Sequence, residues 1–409
     1  MAFRIVVAQS GGPTCAINAS LAGVIRGARE SGQVEKIFGS PNGIEGLLKN
    51  RLLDLDALVP DDEALNLLAH TPSAALGSCR FKLPEESENE SAYQAVADCM
   101  DQNGIKALLY IGGNDSMDTV MKLHQYFERT GRDIRVIGIP KTIDNDLCYT
   151  DHTPGFGSAA KYVALTMQEI ARDSTAYSVR SVTVVEIMGR NAGWLTASSA
   201  MLHENGESAP HLIYLPETDF SAEKFLDDIR KMHQKYRSLI IAVSEGIDLP
   251  METTGGNYRS GAKDIFGHRY LSGIGKYLEN LISREIGCKV RSIELNVMQR
   301  CASHIASKTD LEEAGGIAAA GVRAALAGET GKMMCFKRIA DMPYAVEYFT
   351  VPAGDVANHE KKFPVNWINE DKNGILSPAL DYFRPLIQGE TYPAMQNGMP
   401  VHFKLPIEE

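Results

Sequence analysis

Two carboxylates, a hydroxyl and a lysine fall within seven residues at Pro140-Lys141-Thr142-Ile143-Asp144-Asn145-Asp146, directly after the β-branched run 134–139. A solvated loop seldom concentrates Asp144 and Asp146 beside Lys141 in this way. Phosphoryl transfer needs a base for the attacking hydroxyl, oxygen ligands for Mg2+ and cations around the moving group. The heptad holds all three. Two glycine-rich segments also follow strand-like runs. Ser10-Gly11-Gly12, after the run 3–8, leaves its backbone bare for a phosphate, with the next helix dipole pointing at it. A tight turn needing positive φ would call for the same glycines. Gly112-Gly113-Asn114-Asp115-Ser116 either caps the helix it opens or makes a metal-linked phosphate contact. Neither loop is Gly-x-Gly-x-x-Gly and no Gly-Lys-Ser/Thr follows, so a Rossmann fingerprint and a Walker loop are both ruled out.

The elements that must hold these loops alternate. After the run 3–8, Ile17, Leu21, Val24, Ile25 and Ala28 recur at helical spacing. A helix near 90–102, a strand over 105–111, a helix over 116–129 and a strand over 134–139 follow. Strands are expected near 182–187, 211–215, 238–244 and 290–295, with helices near 157–172, 191–203, 221–236, 267–286 and 307–328. Strand–loop–helix in series predicts parallel βαβ units, hence two doubly wound Rossmann-like α/β domains. The polar, glycine-rich stretch 250–266 reads as a mobile loop. The last 65 or so residues, with weak periodicity, read as an irregular C-terminal extension.

The 409 residues carry 41 basic against 52 acidic side chains, a net charge of −11. That balance argues against a nucleic-acid partner, whereas a few clustered arginines can still bind a small anion. The longest apolar runs are strand-sized, which argues against a membrane helix. Met1-Ala-Phe-Arg leads straight into a strand pattern with no room for a signal peptide, and the expectation is a cytoplasmic protein. Seven scattered cysteines (15, 79, 99, 148, 288, 301 and 335) fit reduced thiols. The ten histidines and the pair Met333-Met334 are read as structural.

Gly11-Gly12, Gly112-Gly113-x-Asp-Ser116, Pro-Lys-Thr-Ile-Asp-Asn-Asp146, Met188-Gly189-Arg190, Glu245, Arg291 and Arg300 together resemble the phosphofructokinase family, in order and at compatible spacing. The resemblance implies an active site in a cleft between two α/β domains. It implies a donor domain of 1–140 with about 300–345, a sugar-phosphate domain of 141–299, and an extension of 346–409. ATP-using members read Gly-Gly-Asp-Gly-Ser and Pro-Gly-Thr-Ile-Asp-Asn-Asp. Here Asp115 and Lys141 replace two glycines, which matches the pyrophosphate-dependent branch. A carboxylate at 115 repels a nucleotide α-phosphate, and an ammonium at 141 binds a free pyrophosphate end. The activity implied is reversible transfer from pyrophosphate to the 1-hydroxyl of fructose 6-phosphate, giving fructose 1,6-bisphosphate and phosphate. The alternatives are an ATP-dependent sugar-phosphate kinase and a non-catalytic sugar-phosphate-binding subunit.

By the same resemblance, Asp144 is the proton acceptor, supported by Asp146. Gly11, Gly12, Arg80 and Lys141 contact pyrophosphate. Thr142, Ile143, Met188, Gly189, Arg190, Glu245, Arg291 and Arg300 surround the sugar phosphate and the transferring group, with Arg291 reaching a neighbouring subunit's site in a homodimer or higher homo-oligomer. The cofactor implied is Mg2+. Three departures stand out. Asn114 takes the place of an aspartate that meets the metal, so its contact is expected to be weak or indirect. Val297 replaces a histidine or tyrosine. Ser181 replaces an arginine found in ATP-using bacterial members, and Arg180, which points to the other strand face, is no substitute.

Overall fold

The apolar runs become the inner strands of two parallel sheets. The computed structural model describes residues 3–249, 259–263, 269–271 and 273–405. In the larger sheet the order is β13 (Tyr344–Pro352), β12 (Lys332–Asp341), β5 (Arg135–Pro140), β4 (Ile105–Gly112), β1 (Phe3–Gln9), β2 (Val34–Ser40) and β3 (Leu53–Asp54). The inner five are parallel, and only the edge strands β3 and β13 run against their neighbours. The smaller sheet is parallel throughout, in the order β11 (Lys289–Glu294), β6 (Ser181–Ile187), β8 (Ser238–Ser244) and β7 (Leu212–Tyr214).

Both faces of each sheet are covered, which is why the strands read as unbroken apolar runs. Ile5 and Val7 pack into one core with Leu21, Leu109 and Ile317. Val6 and Ala8 face the other, with Tyr93, Leu108 and Tyr110. In the second sheet Val185 and Ile187 face a core shared with Trp194 and Phe383, and Val182 and Val184 face Phe225 and Leu278. The helices Ile17–Ser31 and Lys308–Leu326 lie almost backbone to backbone. A Cβ at Gly23 would fall 2.2 Å from the Gly315 carbonyl oxygen, so this contact requires glycine.

From β1 the chain passes to β2 on one side and returns to β4 on the other. Strand order reverses between β1 and β4, and the crevice that opens there is where open α/β sheets take ligands. The glycine loops after β1 and β4 flank it.

Several expectations shift. Tyr344–Pro352, most of it assigned to the irregular tail, is an edge strand zipped to β12. Its half-exposed residues lack the apolar run that marks an inner strand. Helix 191–203 becomes a short helix Trp194–Ser198 followed by 3-10 turns over Ser199–Asn205. Helix 221–236 ends at Met232. The predicted mobile loop 250–266 lies largely outside the described residues, except that Arg259–Lys263 pairs with Arg269–Leu271 as β9 and β10. Helix 267–286 is described as Ile274–Ile286. Among the described residues no helix is long and apolar enough to cross a membrane.

Candidate active site

The two glycine loops, the aspartate loop, Met188, Arg190, Glu245 and Arg300 meet at one cleft of about 570 Å³. One wall begins at Ser10-Gly11-Gly12. Gly11 has φ +77 and takes the tight turn, while Ser78 Oγ donates to its carbonyl at 2.5 Å and its amide donates to Cys79 O at 3.2 Å. Those bonds also deliver Arg80 to the rim. The turn needs positive φ, and two cations lie where side chains would otherwise stand. A Cβ on Gly11 would sit 3.3 Å from Lys141 Nζ, and one on Gly12 would sit 3.2 Å from an Arg300 guanidinium nitrogen.

At the second loop Gly113 is the helix N-cap, with no side-chain cap bond, and Asn114–Arg129 follows. Asp115 thus lies in the first turn, half-buried and lining the cleft, rather than serving as a cap. Ser116 Oγ donates to Ser10 Oγ at 3.1 Å and ties the two loops together. After β5, Lys141 is 3% exposed and donates from Nζ to Gly12 O at 2.7 Å. Thr142 Oγ1 accepts from the Asp144 amide at 3.1 Å, and Asn145 takes φ +55. That left-handed step between the two aspartates turns the chain so that Asp144 and Asp146 both line the cleft.

The opposite wall comes from the second sheet. Met188-Gly189-Arg190 leaves β6 and Glu245 leaves β8; Glu245 Oε1 accepts from the Gly189 amide at 3.3 Å, and Ser244 Oγ donates to Gly189 O at 2.7 Å. Arg190 Nε is buried without a hydrogen-bond partner among the described residues.

Burial pushes the Asp144 carboxyl up, with Glu245 adding to the rise and Lys141, Arg190 and Arg300 opposing it. Asp146 is raised too, by burial first and then by Asp144. Burial raises Glu245 to about 7 and lowers Lys141 to about 8. Carboxylates pushed toward neutrality, held among cations in a cleft, are suited to taking and returning a proton.

Of the expected residues, Gly11, Gly12, Arg80, Asn114, Asp115, Lys141, Thr142, Ile143, Asp144, Asp146, Met188, Arg190, Glu245 and Arg300 line this cleft, and Gly189 sits beneath it. Arg291 does not. It lies on β11 opposite Thr183, with an ion pair to Asp173 at 3.2 Å. Asn114, expected to make a weak or indirect metal contact, has its side-chain amide bonded to backbone. Its Oδ1 accepts from the Asn358 amide at 2.6 Å and its Nδ2 donates to His359 O at 2.5 Å, so its amide is already engaged. Among the described residues no three His, Cys, Asp or Glu side chains converge on a bare metal. Mg2+ commonly takes one or two carboxylates plus substrate phosphates, and Asp115 and Asp146 offer oxygens of that kind at the cleft.

The phosphofructokinase family profile matches residues 4–322. The chain belongs to the phosphofructokinase family. It is 39% identical over 401 residues to a pyrophosphate–fructose 6-phosphate 1-phosphotransferase from Halomonas elongata, covering 97% of this chain and 95% of that protein. A protein of the same name from Xanthomonas campestris is 39% identical over 408 residues, covering 98% and 96%. The crystal structure of a pyrophosphate-dependent phosphofructokinase from Marinobacter aquaeolei superposes with a TM-score of 0.87 at 35% identity, covering 100% of this chain and 98% of that one.

Sequence reasoning missed Asn358 and Glu360, which line the cleft, and Gln299, whose Oε1 accepts from the Met188 amide at 3.3 Å. Nothing local in His359-Glu360-Lys361-Lys362 marks it as part of a site.

Proposed function

We propose that the chain transfers a phosphoryl group from pyrophosphate to the 1-hydroxyl of fructose 6-phosphate, giving fructose 1,6-bisphosphate and phosphate. The observation that carries the reading is the meeting of Asp144 and Asp146 with Lys141, Arg190 and Arg300 in one cleft between the two sheets. Asp144 takes the proton of the sugar 1-hydroxyl as its oxygen bonds to the transferring phosphorus. The bridging P–O bond breaks and phosphate leaves. In reverse, Asp144 returns the proton to the sugar oxygen. Lys141, Arg190 and Arg300 face charge on the moving group and the departing phosphate. Mg2+, held by pyrophosphate with Asp115 and Asp146, would neutralise donor charge.

Asp115 and Lys141 support pyrophosphate as donor. Lys141 reaches the Gly11-Gly12 turn, where it would meet a phosphate end. The Asp115 carboxylate stands in the first helical turn, the place that would otherwise welcome another phosphate. Parallel assays with pyrophosphate, ATP and ADP test this. Pyrophosphate should be the only efficient donor, and Asp115→Gly should raise ATP use measurably. Equal turnover of ATP and pyrophosphate by the unaltered protein would refute the donor assignment.

The site is further proposed to be shared between chains in a homo-oligomer. Thr183, the partner of Arg291, lies four residues before the cleft end of β6, about 13 Å at strand spacing, so Arg291 is remote from its own cleft. A two-fold arrangement would bring each exposed Arg291 to the other chain's sugar phosphate. The fork of a guanidinium suits that phosphate.

A further inference from the structure

The turn that presents the two aspartates is held from behind by the last fifth of the chain. Asn145, fully buried between Asp144 and Asp146, has both ends of its side chain engaged there. Its Nδ2 donates to Tyr382 Oη at 2.8 Å and its Oδ1 accepts from Lys361 Nζ at 3.4 Å. Tyr382 Oη in turn donates to Asp151 O at 2.7 Å. Lys361 Nζ donates to Thr150 O at 3.1 Å and Asp151 O at 2.8 Å, while its backbone amide donates to Asp146 O at 2.7 Å. Two groups from the extension thus grip the loop 145–151 at both ends.

The loop needs such a grip. Asn145 and Tyr149 both have positive φ, at +55 and +65. Left-handed backbone is disfavoured for a residue with a side chain, less so for asparagine than for tyrosine, and such conformations persist only where their surroundings over-determine them. The grip is itself anchored. Trp194 Nε1 donates to Lys361 O at 3.1 Å, the Lys361 ammonium lies 5.0 Å from the Trp194 ring centroid, and the Phe363 amide donates to Glu217 at 2.9 Å. On the donor side Asn114 bonds to the backbone of Asn358 and His359. The strap 358–363 therefore joins the second donor loop, the aspartate loop and the sugar-side sheet.

We propose that Lys361 and Tyr382 are positioning residues for phosphoryl transfer, fixing the Asp144-Asn145-Asp146 turn so that the base meets the sugar hydroxyl. This rests on the activity proposed above. Neither side chain lines the cleft, so substrate binding should survive their loss while the rate does not. Misplacement of a reacting group by about 1 Å costs on the order of 100-fold.

The experiment measures kcat and both KM values, for fructose 6-phosphate and pyrophosphate, in Lys361→Met and Tyr382→Phe. Rates are normalised to folded sites counted by fructose 1,6-bisphosphate binding. Lys361→Met should lower kcat about 100-fold and Tyr382→Phe about 10-fold, with both KM values within about three-fold of the parent. If Lys361→Met does not fold, Tyr382→Phe, which removes only a hydroxyl, decides alone. A kcat per folded site within two-fold of the parent would overturn the proposal, even with a lowered melting temperature, because the two groups would then only stabilise the fold. A parent with no pyrophosphate-dependent transfer would instead overturn the activity reading beneath it.

Discussion

Replacing Asp144 with asparagine is expected to stop the reaction and strengthen the fold at once. Loss of a general base typically costs about 10²–10⁴ in rate. The effect should fall on kcat, with fructose 6-phosphate affinity changed only a few-fold, because the base acts chiefly in the transition state. The stability gain follows from the carboxyl's rise from 3.8 to about 6 on folding. At 1.36 kcal/mol per pH unit, holding Asp144 ionised in the cleft costs about 3 kcal/mol at pH 8. Asparagine keeps the shape and removes that cost. That shift is already net of the attraction of Lys141, Arg190 and Arg300, so the measured gain should be at most about 3 kcal/mol. The sign with pH is fixed. A group raised on folding binds its proton more tightly in the native state, so the penalty is complete above about pH 6, fades as pH falls and vanishes below 3.8. Thermal unfolding of ligand-free parent and variant at pH 8, 6 and 4.5 tests this beside the coupled rate assay. The variant should melt higher at pH 8, with the gap closing toward pH 4.5. A variant less stable than the parent at pH 8, or a gap independent of pH, would refute the electrostatic account. A near-normal kcat would refute Asp144 as the base.

Lys141→Met should raise KM for pyrophosphate by about 10- to 100-fold, the size expected for a lost hydrogen bond to a charged group, while KM for fructose 6-phosphate moves far less; an unchanged pyrophosphate KM would remove Lys141 from the donor site. Asp144→Asn and Arg291→Ala chains, each nearly inactive alone, should regain substantial activity when dissociated and reassembled together, because a mixed dimer holds one site free of both defects. Failure to recover activity despite verified mixed assembly would place the action of Arg291 within its own chain.

Legibility in the sequence followed the range of the interactions. Inner strands such as β4 and β8 were visible because burial on both faces makes them short apolar blocks. The aspartate loop and the glycine turns were visible because their chemistry is compressed into a few consecutive residues. The engagement of Asn114 was not legible, because its type alone says nothing of the partner 244 residues away. Lys361 carries no signal in the sequence, since its placement depends on Trp194 and the loop 150–151 rather than on its neighbours in the chain. The edge strand β13 hid for a related reason, as its pairing with β12 is made by backbone groups that leave only a weak trace in side-chain pattern.

The placement of the strap and of the helix Ser377–Leu386 has a consequence for synthesis on the ribosome. A nascent chain that has emerged as far as Leu326 already contains every strand of the second sheet and all but two of the first. It still lacks Phe363 and Phe383, which fill the core beside Trp194, and the groups that grip the aspartate turn. Since chains begin to fold from the N-terminal end as they are made, both sheets can form early around an unfinished core. The aspartate turn then acquires its backing only when the segment carrying Lys361 and Tyr382 docks, so a chain that stops before it would lack that support.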